Sequence, residues 1–219
     1  MKLQRTRLVN RILGLLMSGM NAYMDFGVGV AIAQTLSVLA AHPLPWWFLP
    51  LGGMLALLPD FDILVPLIWR GAFNYNHHKT LLHRPLFMLP LVACFGWLWG
   101  GPFWAGAAFI CVFWHYLHDT WPLGVGGVAW VWPISDQYLT WRGFKEPVDM
   151  SHTEWLKRYW LKPTLFSCWE IAVGTAALAW AAFLLEVPAF DIVMLAALAW
   201  LGAALVWFAY SLPTYQKTP

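Results

Sequence analysis

The chain has 219 residues, 60% of them hydrophobic and only 11% charged, with a mean hydropathy of +0.58. A soluble globular domain carries roughly 25% charged residues, so this composition lies far outside the soluble range. The formal net charge of +2 says little about partners, and nucleic acid is not among those expected. The placement of the charges says more.

The first twenty-three residues hold Lys2, Arg5, Arg7 and Arg11 ahead of a short apolar run. No small-x-small cleavage site follows cleanly, so this reads as an uncleaved, basic, amphipathic lead-in. The apolar residues then arrive in blocks of about 20, the length that crosses a bilayer core. Six such segments are predicted, at residues 24–41, 48–69, 85–100, 102–119, 165–186 and 189–212. The whole chain, residues 1–219, is therefore expected to be one all-α integral membrane domain. It would be a polytopic helix bundle of about six transmembrane helices. Alternating the segments from a cytoplasmic N-terminus puts all thirteen Lys and Arg residues on one side. The positive-inside rule then predicts a multi-pass protein of the inner membrane with both termini cytoplasmic. Cys94, Cys111 and Cys168 lie inside apolar segments and read as small hydrophobes.

Residues 120–164 are too polar to cross and rich in tryptophan. Within them, 153–161 (TEWLKRYWL) mixes basic and aromatic residues as an interface-lying helix does. This segment is expected to rest on the headgroups and roof the bundle.

Acids and histidines inside apolar segments are expensive, at least ~2.5–3.5 kcal/mol for a central Asp on insertion scales. Asp25, Asp60, Asp62, His115, His118, Asp119 and Glu170 stand at span ends predicted to lie on the cytoplasmic side, and His78 and His83 precede the third span there. In Trp114-His115-Tyr116-Leu117-His118-Asp119 the i, i+3, i+4 spacing gathers both imidazoles and the acid on one helical face. Imidazole with carboxylate suits zinc, iron or manganese. Asp60 and Asp62 cannot share a face in a regular helix, but Pro59 allows local unwinding that turns both inward.

Together these motifs resemble the membrane-bound, metal-dependent hydrolase family of the YdjM type. Its pattern runs L-P-D-x-D, H-R-G-x-T-H-S and H-x-x-x-D-x-x-T-x-x-G followed by a hydrophobic-x-W-P. Leu58-Pro59-Asp60-Phe61-Asp62 matches the first in full. His78-Lys79-Thr80-Leu81-Leu82-His83-Arg84 keeps both histidines of the second at their separation. His115 and Asp119, with Gly127 and Val131-Trp132-Pro133, correspond to the third. Lys79, Leu82 and Arg84 depart from the pattern, and Asp25 stands where the family has an early histidine.

The resemblance implies a hydrolase in which Asp25, Asp60, Asp62, His83, His115 and Asp119 hold one or two divalent ions, zinc or manganese first. His78 or His118 would serve as general acid or as a partner behind the ligands. Lys79 and Arg84 would offer positive charge to a phosphate, and Glu170 would orient or complete the site. The expected substrate is a membrane lipid carrying a phosphate ester, a phospholipid or an isoprenoid phosphate. A divalent-cation or proton transporter and a non-catalytic metal-holding scaffold are the alternatives.

Overall fold

A computed structural model describes residues 22–42, 44, 49–62, 77–120, 127–141, 143–145 and 165–185. The basic N-terminal lead-in up to residue 21, the stretch 153–161 and the apolar segment 189–212 lie outside the described residues.

Helix α1 spans Tyr23–Leu39 and stops where Ala41 turns to a φ of 49°. The Ser37 hydroxyl donates to His42 O at 2.6 Å beyond that stop. Helix α2, Leu49–Ala56, gives way to a 3-10 turn at Leu58–Asp60. Pro59 lacks the amide hydrogen that a continuing helix needs and enforces the change. Two further 3-10 turns, His77–Lys79 and Leu81–His83, lead into α3, Pro85–Gly100. Arg84 is extended, as a residue before proline should be, and Gly101 (φ 81°) caps α3. Helix α4 follows at once as Pro102–Thr120, with proline again at the first position. A two-stranded antiparallel hairpin, β1 (Tyr138–Thr140) and β2 (Gly143–Lys145), pairs Leu139 with Phe144. Helix α5 is Leu165–Leu184.

Helices α3 and α4 enclose one core of Met88, Leu89, Val92, Ala108, Val112, Tyr116 and Val128. A second core joins Val30 and Ala31 of α1 to Leu49 of α2 and Ala181 of α5. Small residues let α1 approach its neighbours closely. A Cβ on Gly27 would lie 2.6 Å from the Gly174 carbonyl oxygen of α5, so neither position has room for a side chain.

Most of the described chain is helical, but the expected polytopic membrane bundle of about six transmembrane helices is corrected. No helix among the described residues is long and apolar enough to cross a membrane. The apolar blocks at 24–41, 85–100, 102–119 and 165–186 map onto the continuous helices α1, α3, α4 and α5, whereas the block at 48–69 does not form one helix. The block at 48–69 yields an eight-residue helix before Pro59 interrupts it. At about 1.5 Å rise per residue, the 17 residues of α1 and 16 of α3 fall short of a bilayer core of about 30 Å. The apolar runs of the two longer helices are broken by His115, His118 and Asp119 in α4 and by Glu170 in α5. The roof segment also differs from a plain interfacial loop, because it carries the hairpin and an isolated bridge from Val128 to Leu139. Cys111 is buried as expected, while Cys94 and Cys168 are exposed; all three are free thiols.

Candidate metal centre

Three chain segments deliver the side chains. The 3-10 turn after Pro59 presents Asp60 and the following residues present Asp62. The turn Leu81–His83 presents His83, and the last turns of α4 present His115 and Asp119. Tyr116 ties two of these segments together, its hydroxyl donating to Leu82 O at 2.6 Å.

His83 is fully buried. Its Nε2 lies 3.5 Å from Asp60 Oδ1 and 3.7 Å from Asp119 Oδ2, and its Nδ1 is 3.2 Å from Asp62 Oδ2. His115, 1% exposed, turns Nε2 toward the same carboxylates, 3.6 Å from Asp60 Oδ1 and 3.3 Å from Asp119 Oδ2. Its Nδ1 faces Asp25 Oδ2 at 3.3 Å. Two imidazoles thus point Nε2 inward and each has a carboxylate at its back, Asp62 behind His83 and Asp25 behind His115. Metal-binding histidines are typically held this way. The Thr80 hydroxyl donates to Asp62 Oδ2.

These separations test whether the residues fit an ion. Among the described residues His115 Nε2 and Asp119 Oδ2 make no hydrogen bond, although both are buried. Buried polar atoms left this way are rare. Bonds of 2.0–2.1 Å to a tetrahedral ion set neighbouring donors about 3.4 Å apart, close to the observed 3.3–3.7 Å. Among the described residues two triads have mutually close donor atoms, Asp60-His83-His115 and His78-His83-Asp119. The donor set fits a divalent ion of the zinc or manganese kind.

Burial alone would push His83 down, but the carboxylates of Asp60, Asp62 and Asp119 outweigh it and raise the imidazole to about 9.

The other predicted residues take different places. His78 stacks on His83 with ring centroids 4.9 Å apart, and its Nδ1–H donates to Gly127 O at 3.1 Å. Gly127 has a φ of 67° and a Cβ there would collide with Leu139 O and Thr140, so glycine alone aims that carbonyl at His78. His118 is held between carboxylates, Nδ1 3.1 Å from Asp25 and Nε2 2.7 Å from Glu170 Oε1, which commits both ring nitrogens away from Asp60. Asp25, expected as a ligand, therefore sits one layer behind the inward-facing nitrogens. Lys79 is exposed. Arg84 is buried, with its guanidinium 5.6 Å from the ring centroids of Trp132 and Tyr138 and Nη2 donating to Lys79 O. It fastens the roof segment to the histidine turn. Sequence reasoning missed Thr80 and Tyr116. Thr80 carried a usable signal, a hydroxyl between two candidate histidines, whereas Tyr116 reads as one more aromatic in an apolar helix.

A family model described as YdjM inner membrane protein matches residues 20–213. The chain belongs to the YdjM family of inner membrane proteins. The matched span takes in every residue of the centre, from Asp25 to Glu170, and extends past α5. No curated protein and no solved structure matches the chain. YdjM membership sets the location, and the chemistry has to be read from the site.

Proposed function

We propose that the protein is a metal-dependent hydrolase acting at the cytoplasmic face of the inner membrane on a phosphate ester of a lipid. The observation that carries this reading is the convergence of His83 Nε2, His115 Nε2, Asp60 Oδ1 and Asp119 Oδ2 at 3.3–3.7 Å. His83 Nε2, with one lone pair facing both carboxylates, would serve one ion in this reading. Bound there, a divalent ion supplies Lewis acidity toward a phosphoryl oxygen and acidifies water.

The chain's own groups do the rest. Asp62 and Asp25 keep the two imidazoles oriented. His78 gives Nδ1–H to Gly127 O, which in the neutral ring leaves the lone pair on Nε2 to receive a proton from the attacking water. Lys79, next in the chain, supplies positive charge for a phosphate. An apolar cavity of about 320 Å³, within the range of small-molecule sites, begins at Leu58 and is lined by Val92, Phe95, Trp99 and Trp104. It starts two residues from Asp60 and suits the hydrocarbon part of a lipid. Exposed Phe95, Trp97, Leu98 and Trp99 near the end of α3 form an apolar patch suited to membrane contact. The basic residues beside the site favour the cytoplasmic surface.

The test is phosphate release from a panel of phospholipids and isoprenoid phosphates by detergent-purified protein, with chelation and zinc or manganese add-back. Turnover that disappears on chelation, returns with metal and is absent from an Asp60→Ala, Asp119→Ala variant is expected. Turnover that survives chelation, or bound metal with no turnover on any substrate, would contradict the reading; the second result favours a metal-holding scaffold.

A further inference from the structure

Behind the metal centre a buried polar chain continues past Asp25 to His118 and Glu170, neither of which has a part in the reaction proposed above. It starts at His115, on the side of the ring away from Asp60 and Asp119. Asp25 Oδ2 lies 3.3 Å from His115 Nδ1 and 3.1 Å from His118 Nδ1, and Asp25 Oδ1 is also 3.1 Å from His118 Nδ1. His118 Nε2 then meets Glu170 Oε1 at 2.7 Å. Asp25 is 2% exposed and Glu170 fully buried. Carboxylates taken out of water are costly unless close, hydrogen-bonded partners repay the desolvation. Glu170 Oε2 makes no hydrogen bond within the structure, so among the described residues His118 is what holds this acid in place.

We propose that Glu170 and His118 form a buried clamp that presses Asp25 against His115 and fixes its ring with Nε2 toward Asp60 and Asp119. The clamp rests on the metal-centre reading and makes α5 part of that centre without adding a ligand. A half-turn of the His115 ring about Cβ–Cγ would put carbon atoms where its two nitrogens stand, and a carboxylate at Nδ1 opposes that turn while favouring the proton at Nδ1 and the lone pair at Nε2. Asp25 can do this only if it is itself immobile. It lies in the first turn of α1, where His118 engages both of its oxygens. Glu170 holds the other ring nitrogen of His118 from its far side. Helix α5 reaches this position because Gly27 and Gly174 let it approach α1 closely. Glu170 stands one turn before Gly174 on the same side of α5. His118 and Glu170 are thus positioning residues.

The experiment is cobalt binding to the detergent-purified full chain, with affinity from chelator competition and ligand geometry from the visible spectrum of bound cobalt. The Glu170→Ala variant is expected to bind roughly 10-fold or more weakly, as loss of an outer-layer partner does, with an altered spectrum and unchanged stoichiometry. Glu170→Gln, whose amide oxygen still accepts from His118 Nε2, should stay within a few-fold of wild type. A Tyr23→Phe variant removes another α1–α5 contact, the 3.2 Å hydroxyl pair with Thr175, and should leave affinity and spectrum unchanged. Equal affinity and spectrum for Glu170→Ala and wild type, with binding lost in His115→Ala, would overturn the clamp and leave the metal centre standing. An equal loss in Tyr23→Phe would also overturn it, showing only that helix packing matters. Wild type binding no better than His115→Ala would end both.

Discussion

His83 has carboxylates on both sides of its ring and, together with His115, sets how the centre responds to pH. Its imidazole is raised from 6.5 to about 9 because Asp60, Asp62 and Asp119 outweigh the opposing effect of burial. A metal ligand must give up its proton, so binding and protonation compete. Metal affinity should therefore rise as pH climbs from 6.5 through 9, measured by chelator competition across the range. The metal-free protein behaves in the opposite sense. A raised folded value means that the charged ring's contribution to stability is fully present below pH 6.5 and is lost as pH climbs through 9. Thermal unfolding of the metal-free chain at pH 6 and pH 9.5 should show this difference, and Asp62→Asn should shrink it. At neutral pH the same substitution should weaken metal binding by about 10- to 100-fold, the usual range for a residue orienting a ligand, whereas Asp60→Ala should abolish it.

Helix periodicity explains what could and could not be read at the level of elements. The spacing of His115, His118 and Asp119 announced a polar helix face, and the face exists. Successive residues turn by about 100°, so His115 and Asp119 stand about 40° apart and converge on Asp60 and His83. His118 lies about 60° to the other side of His115 and meets Asp25 and Glu170 instead. Spacing located the residues but could not divide them between two jobs, because the division depends on where α1 and α5 pack. Nor could it show that Arg84 would be buried against Trp132 and Tyr138, since that contact spans a loop whose hairpin has no strong strand pattern. The glycines are the elements' joints. Gly27→Leu should force α1 from α5, with 1–3 kcal/mol of destabilisation typical of overpacking, read by chemical denaturation. It should also lower metal affinity by moving Glu170 away from His118. Gly106→Ala, where a Cβ meets nothing within 4 Å, is the matched control and should change neither.

At the scale of the whole molecule, composition was the strongest signal and also the one that overreached. Blocks of apolar residues suggested six spans, but Pro59 breaks the block at 48–69, and no helix among the described residues is long and apolar enough to cross a bilayer. The inner-membrane assignment comes from the family match over residues 20–213 and agrees with the exposed aromatic end of α3. The apolar cavity beside Leu58 gives the reaction a way to recognise lipid. Ala108→Leu, which narrows that cavity, should raise KM for long-chain lipid phosphates several-fold and leave hydrolysis of a short soluble phosphate ester unchanged.

The most direct measurement is the metal content of detergent-purified protein by mass spectrometry, wild type beside an Asp60→Ala, Asp119→Ala variant. Close to one zinc or manganese ion per wild-type chain, and none in the variant, is expected. Wild-type protein without metal after zinc and manganese loading, or a variant that retains the same amount, would contradict a metal centre at these residues.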